Sequence, residues 1–399
     1  MKNLQGLALG LLSLFLFLSL SIFSLAFMLN STTLNPKFVT SELDRFDVSS
    51  LAGELVSMQT PQGESPEEFE TALVNTITEL EPLVKEQLSA TIYPIYDYLK
   101  GKNQSIDLKL TLRNTFLNSD FVVSLIDELN LSSLAAGFLG EQFTEQIPEE
   151  MEFLTEHLDD AIAELEPTIK EELIAAADPV VDYLLGESRS LSVVISLEPV
   201  LVNLEDNLKE AFVESPPAEL ADLPQSTLNQ LFEEYFEEVE EMIPSTFEID
   251  ETLIGTEIPT QITERLAEAE DGLEEAKQYV GYFQLGYKLL IGFMLLLILG
   301  IILISREVKD ITRRLGIPCL TYGALWYAGT FIGKYFSGKY LTGTMLPLVE
   351  IPPSLQTWLP QFVANFLAPL QMFSLGLLVC GIVLIIVSFA YPRWRQSKL

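Results

Sequence analysis

Residues 370–391 read LQMFSLGLLVCGIVLIIVSFAY, 22 positions without one charged side chain. As a helix this run is about 33 Å long, the thickness of a bilayer's hydrocarbon core. Two other blocks share its character: residues 4–28 and 289–305 carry no charge either. A fourth, residues 317–333, is uncharged but shorter, and Gly323 and Gly329 interrupt it. It reads as a span, with a re-entrant or interfacial segment as the alternative. The fold class expected is therefore a mainly α membrane protein with four transmembrane helices.

The first block has a competing reading as a secretory signal peptide. Ser24-Leu25-Ala26 is an acceptable small-residue cleavage pattern. Its apolar stretch far exceeds the usual 7–15 residues, however, and only Lys2 precedes it. An uncleaved signal-anchor is the expectation.

Charge is distributed very unevenly. The 399 residues carry a formal net charge of −34. Residues 29–282 hold 54 acidic and 12 basic side chains; the rest of the chain holds 3 and 11. An acidic region is thus tied to a basic, apolar anchor. Arg306, Lys309, Arg313 and Arg314 lie between the second and third spans, and Arg393, Arg395 and Lys398 lie in the tail. The positive-inside bias puts both segments and the N-terminus in the cytoplasm, and residues 29–282 outside the cell (plasma) membrane. Lys334 and Lys339, in the loop that then faces outward, count mildly against this.

Composition excludes several classes. At 48% apolar residues the chain is too apolar for disorder. Two cysteines, Cys319 and Cys380, cannot build a disulfide scaffold or a four-thiolate metal site. One histidine, His157, rules out a multi-histidine metal centre. The acid excess excludes nucleic acid as a partner, because phosphates need Lys and Arg.

Self-comparison shows an internal repeat. Residues 79–112 (ELEPLVKEQLSATIYPIYDYLKGKNQSIDLKLTL) match 164–197 (ELEPTIKEELIAAADPVVDYLLGESRSLSVVISL) at 15 of 34 positions. The pairs include Pro82/Pro167, Lys85/Lys170, Asp97/Asp182, Tyr98/Tyr183 and Gly101/Gly186. An upstream match links Ser49-Ser50-Leu51-Ala52 with Ser132-Ser133-Leu134-Ala135. A duplicated helical exported domain follows, each unit opening with a short helix. Pro66-Glu67-Glu68 and Pro148-Glu149-Glu150 then start a long helix, which Pro82 and Pro94 should kink or segment and Gly101 or Gly186 should end. The alternation Ile106, Leu108, Leu110, Leu112 predicts one short β-strand per repeat, making a minor α+β element, with the two strands free to pair.

The organisation read from sequence is as follows. Residues 1–28 form the signal-anchor, 29–120 and 121–205 the two exported repeats, and 206–258 an acidic amphipathic helical segment. Residues 259–284 form a stalk helix and 285–305 the second span. A basic cytoplasmic loop (306–316), the third span (317–333), an outer loop with an interfacial helix (334–369), the fourth span (370–391) and a basic tail (392–399) complete the chain. Within 228–243, Leu231, Phe232, Tyr235, Phe236, Val239, Met242 and Ile243 make one helix face and six glutamates the other. The stalk carries a coiled-coil seam of Ile262, Leu266, Ala269, Leu273, Ala276, Val280, Phe283 and Tyr287. Gly6/Gly10 and Gly329/Gly333 are small-xxx-small pairs suited to helix packing in a membrane. Sequons at Asn30, Asn103 and Asn130 permit glycosylation.

Chemistry is sparse. There is no P-loop, dinucleotide fingerprint, Gly-x-Ser-x-Gly or His-Glu-x-x-His. The duplicated Asp-Tyr pairs read as tyrosines packing a helix end beside solvated aspartates. No residue stands out as catalytic, cofactor-binding or metal-ligating, and no cofactor is expected. The expectation is a non-enzymatic protein binding a partner or ligand, as an envelope scaffold or sensor. The alternative is an accessory subunit of a membrane transport complex. Partners expected are the lipid bilayer and another protein or envelope component, with diffuse cation binding by the acidic region. Like charges at this density repel, so raising salt or adding divalent cations should raise the melting temperature. A melting temperature unchanged between low and high salt would contradict that electrostatic picture.

Overall fold

A computed structural model describes residues 2–59, 67–131, 155–196, 198–214, 216, 220, 222–242, 245–305, 307–340 and 352–396. In chain order the elements are α1 (Lys2–Ser31), α2 (Pro36–Arg45), α3 (Val48–Gln59), α4 (Glu67–Leu99), α5 (Leu108–Asn114) and α6 (Ser119–Glu128). There follow α7 (Thr155–Leu184), β1 (Ser192–Ser196), α8 (Glu198–Glu214), α9 (Gln225–Met242), β2 (Thr246–Asp250) and α10 (Glu251–Ile254). The chain ends with α11 (Ile258–Ser305), α12 (Val308–Tyr340) and α13 (Pro353–Gln396). Two compact units emerge: an apolar one (Met1–Asp47, Ile92–Ile106, Leu273–Leu399) and an acidic one (Val48–Thr91, Asp107–Gly272).

Four helices, α1, α11, α12 and α13, are long and apolar enough to cross a membrane. The short third block lies inside one unbroken 33-residue helix, α12, which is long and apolar enough to cross a membrane. The core of the apolar unit joins Leu9, Leu16 and Leu20 of α1 to Leu297 and Ile301 of α11 and Tyr322 of α12. The Tyr322 hydroxyl donates to the Ser24 hydroxyl, which satisfies both groups away from water. Cys319 lines this core.

Backbone meets backbone where α12 and α13, which run antiparallel, pack together. A Cβ added at Gly323 would stand 2.7 Å from the Leu378 Cα, and one at Gly381 would stand 2.7 Å from the Leu320 Cα. No real side chain fits at either place. The glycine pairs singled out by spacing are not the packing ones. A Cβ at Gly6, Gly10 or Gly329 would meet nothing within 4 Å, and one at Gly333 only the Leu367 Cδ1 at 3.4 Å. Spacing identifies a helix face; it does not say which face meets a neighbour.

α11 is continuous over 48 residues. Along the seam proposed for it Val280 is buried, Ile262, Leu266, Leu273, Ala276, Phe283 and Tyr287 are half-buried, and Ala269 is exposed.

In the acidic unit, α7, α8 and α9 build the core around Leu185, Leu208, Phe212, Leu228, Phe232 and Phe236, all nearly inaccessible. The Phe212 and Phe232 rings lie 5.8 Å apart, and the Phe232 and Phe236 rings stack at 5.6 Å. Among the described residues of 228–243, Leu228, Phe232 and Phe236 face inward and Glu233, Glu234 and Glu237 outward, as an amphipathic helix requires.

Three sequence expectations need correction. The strand expected at 106–112 is the helix α5. The Asp107 carboxylate accepts the Leu110 N–H at 2.8 Å, an N-cap that outweighs the two-residue alternation. The matching stretch of the second copy does form a strand, β1, because Val193, Val194 and Ile195 are β-branched. It pairs antiparallel with β2, Ser192 opposite Asp250 and Ser196 opposite Thr246, and not with the first copy. β2 therefore falls within a stretch read as wholly helical. Finally, α4 and α7 run without a break through Pro82, Pro94, Pro167 and Pro179, so the prolines do not segment them. Each proline removes a single helical hydrogen bond, and the helix resumes beyond it. Pro66, Ser132–Ala135, Pro148–Glu150, Arg306 and Lys398 lie outside the described residues.

Replacing Gly323 or Gly381 by Leu should force α12 and α13 apart and destabilise the purified protein by about 3 kcal/mol or more, whereas Gly329→Ala should stay within about 0.5 kcal/mol. Thermal unfolding in a single detergent discriminates: equal melting temperatures for Gly323→Leu and Gly329→Ala would refute the assigned contact.

Candidate functional site

Charge organises the acidic unit, which holds 48 acidic and 7 basic residues. Six of the seven basic side chains already hold carboxylates. Lys85 pairs with Glu81 at 2.5 Å, Lys170 with Glu166 at 2.7 Å, Lys209 with Glu233 at 2.9 Å and Arg265 with Glu268 at 3.1 Å. Lys109 and Arg113, one turn apart on α5, both reach Glu187, and Arg113 also holds Asp182 at 2.8 Å. The positive charge is spent internally, which leaves a surface dominated by carboxylates.

The repeated Asp-Tyr pairs terminate α4 and α7 in the same way. Gly101 (φ 72°) and Gly186 (φ 66°) take the left-handed conformation that favours glycine. In each turn the glycine N–H bonds the tyrosine carbonyl, at 2.9 and 2.8 Å, and the next N–H bonds the aspartate carbonyl, at 2.9 and 2.8 Å. Tyr98 and Tyr183 are buried against the helix ends. Beyond the turn the two copies differ. Asp97 pairs with Lys102 at 2.7 Å, and Asp182 with Arg113. The Tyr98 ring carries the Lys277 ammonium 3.8 Å from its centre, whereas the Tyr183 hydroxyl donates to the Gly255 carbonyl at 3.5 Å. Asp97 and Asp182 are thus ion-paired and half-exposed rather than simply solvated.

The Glu-Lys pair one turn apart also recurs with different surroundings. Glu81 accepts the N–H groups of Ser49 (3.0 Å) and Val48 (3.3 Å) and so holds the first turn of α3. Lys170 instead donates to the Asp127 carbonyl at 2.6 Å, at the end of α6. An open groove of ≈ 450 Å³ lies there, lined by Asp127, Glu166, Pro167, Lys170, Glu171 and Ile174. Its single ammonium is engaged with Glu166, so it offers no free acid–base pair. Among the described residues no group of three or more His, Cys, Asp or Glu side chains is placed to hold a metal ion. The His157 side chain lies outside the described residues.

Two polar sites in the apolar unit escaped the sequence reading. Glu42 on α2 is 3% exposed, yet its carboxylate accepts hydrogen bonds from Arg45 and from the Asn365 amide (3.0 Å) on α13. Trp358 donates to the Glu42 carbonyl at 3.4 Å and stacks on Phe362 at 4.9 Å. Phe46 and Phe38 of the α2 region pack on Trp358, Phe362 and Phe366. A buried carboxylate is tolerated because it is charge-paired and hydrogen-bonded. The second site is Lys277, whose ammonium donates to the Asn103 and Gln104 carbonyls, both at 3.0 Å, beneath the Tyr98 ring. More than 300 residues separate Glu42 from Asn365, so no local pattern signals the contact. Comparison with protein families, curated proteins and solved structures gives no match to this chain.

Burial acts to raise the Glu81 carboxyl, but Lys85 and the two α3 N–H groups outweigh it and hold the group below its ordinary 4.5. A folded-state value below the unfolded one gives stability that is full above about pH 4.5 and is lost as pH falls through the folded value. Glu81→Gln should therefore lower the melting temperature at pH 7, by the roughly 0.5–2 kcal/mol typical of a lost cap, and lose less than the parent on acidification. Parallel acid melting curves for the two proteins would contradict the assignment.

Proposed function

We propose that this chain is a non-enzymatic integral membrane protein that presents an acidic, duplicated helical domain outside the cytoplasm to bind a partner or ligand. Envelope scaffold or sensor is the role that fits best. The observation that carries the reading is the separation of charge. One compact unit contains the four apolar helices, and the other has its own aromatic core and a surface of carboxylates whose basic counterparts are already paired. Such a surface suits a partner rich in Lys and Arg, or an envelope component bridged by cations. The matching turns at Gly101 and Gly186 and the matching Glu-Lys pairs support a common origin for the two halves. α1 supports retention of the N-terminal segment as an anchor, since Leu9, Leu16, Leu20 and Ser24 are built into the helical core.

Cysteine labelling tests the sidedness. In a Cys319→Ser, Cys380→Ser background, Glu210→Cys should react with a membrane-impermeant maleimide on intact cells, and Arg313→Cys only after lysis. The reverse pattern would overturn the orientation. Binding is tested by a photo-crosslinker placed at Glu234 in the full chain. Glu233→Gln with Glu237→Gln should abolish capture of the crosslinked component; capture that survives would remove the acidic face from the binding role.

A further inference from the structure

The apolar unit has one markedly basic end. Leu315 of α12 packs on the cluster containing Leu9, and the Ser13 hydroxyl lies 3.5 Å from the Arg314 carbonyl. The start of α1 therefore lies at the same end as the start of α12. The Ser388 hydroxyl donates to the Lys309 carbonyl at 3.2 Å, which brings the final turns of α13 there too. α11 ends at Ser305, three residues before α12 begins. Four helix ends thus converge. Among the described side chains they carry Lys309, Arg313 and Arg314 on α12, opposed by Glu307 and Asp310. Lys309 and Arg313 are exposed.

Directly beside these charges the helices present bare hydrocarbon. Leu303 is 68% exposed, Phe389 66% and Ile386 59%, and Ile304 and Val308 are also open. A free anion would use the cations alone. A phospholipid would use both features, with its phosphate among the basic side chains and its acyl chain along Leu303, Ile386 and Phe389. We propose that this end of the helical unit is a binding surface for anionic phospholipid headgroups. A basic side chain near an anionic lipid surface contributes about 1 kcal/mol, and the attraction falls off within a Debye length. Each one removed should therefore weaken binding roughly fivefold.

The test uses the full chain in detergent. Dioctanoyl phosphatidylglycerol should raise its melting temperature, and dioctanoyl phosphatidylcholine at equal concentration should raise it much less. The difference should shrink as salt rises from 50 to 500 mM. The triple variant Lys309→Gln, Arg313→Gln, Arg314→Gln should lose the selective shift. Lys288→Gln, a control charge at the opposite end of α11's apolar run, should keep it. Direct counting of bound lipid by native mass spectrometry gives a second readout if the triple variant is unstable: fewer phosphatidylglycerol adducts are expected at equal protein loading. Equal shifts from the two lipids, a shift retained in the triple variant with undiminished adducts, or an equal shift from inorganic phosphate would each overturn the proposal.

Discussion

An ionised side chain at the centre of a bilayer is costly, by several kcal/mol even on scales that allow snorkelling. A chain with 57 acidic residues can enter a membrane only by keeping them out of its spans, and this one does so strictly. The spans contain no Asp or Glu between residues 4 and 28, 289 and 305, or 370 and 391. Hydrocarbon also offers no partner to backbone N–H and C=O groups, which restricts the apolar unit to helices. The same constraint explains the polar contact inside the spans, where the Tyr322 hydroxyl donates to Ser24.

With water unavailable to drive helices together within lipid, close packing has to do so. That role falls to Gly323 and Gly381, where backbone meets backbone, with Gly316 continuing the stripe against Leu384. Further along, Lys334 of α12 donates to the Gln371 side chain of α13 at 2.5 Å. The lysine that weakened the charge argument for this helix therefore has a specific acceptor. Contacts 316–384, 323–378 and 334–371 run in opposite directions along the two helices, so the pair is fixed over several turns and not at a single crossing.

The apolar helices were legible because length and absence of charge are direct physical requirements for crossing a bilayer. The turns at Gly101 and Gly186 were legible because a helix ending in left-handed backbone favours glycine. What failed had long-range causes. Leu108 to Leu112 alternate as a strand would, but among the described residues no strand pairs with them; Asp107 caps a helix, and Lys109 and Arg113 then meet Glu187 and Asp182. β1 needed a partner that no repeat logic supplies, and found it in residues 246–250. Glu42 looked like any surface glutamate, because Asn365 and Trp358 are distant in sequence.

The two matching stretches of sequence share local geometry and not chemistry. The two Asp-Tyr-Leu-x-Gly turns share their hydrogen bonds almost to the tenth of an ångström, yet one tyrosine faces a lysine and the other a carbonyl. The two Glu-Lys pairs share their spacing, yet one carboxylate holds the start of a helix while the other pair's lysine holds the end of one. Local backbone form is set by residues a few positions apart, which the two stretches have in common. Partners come from elsewhere in the chain, where the copies have nothing in common. A ligand site that required both copies to present the same groups would therefore find different groups at each.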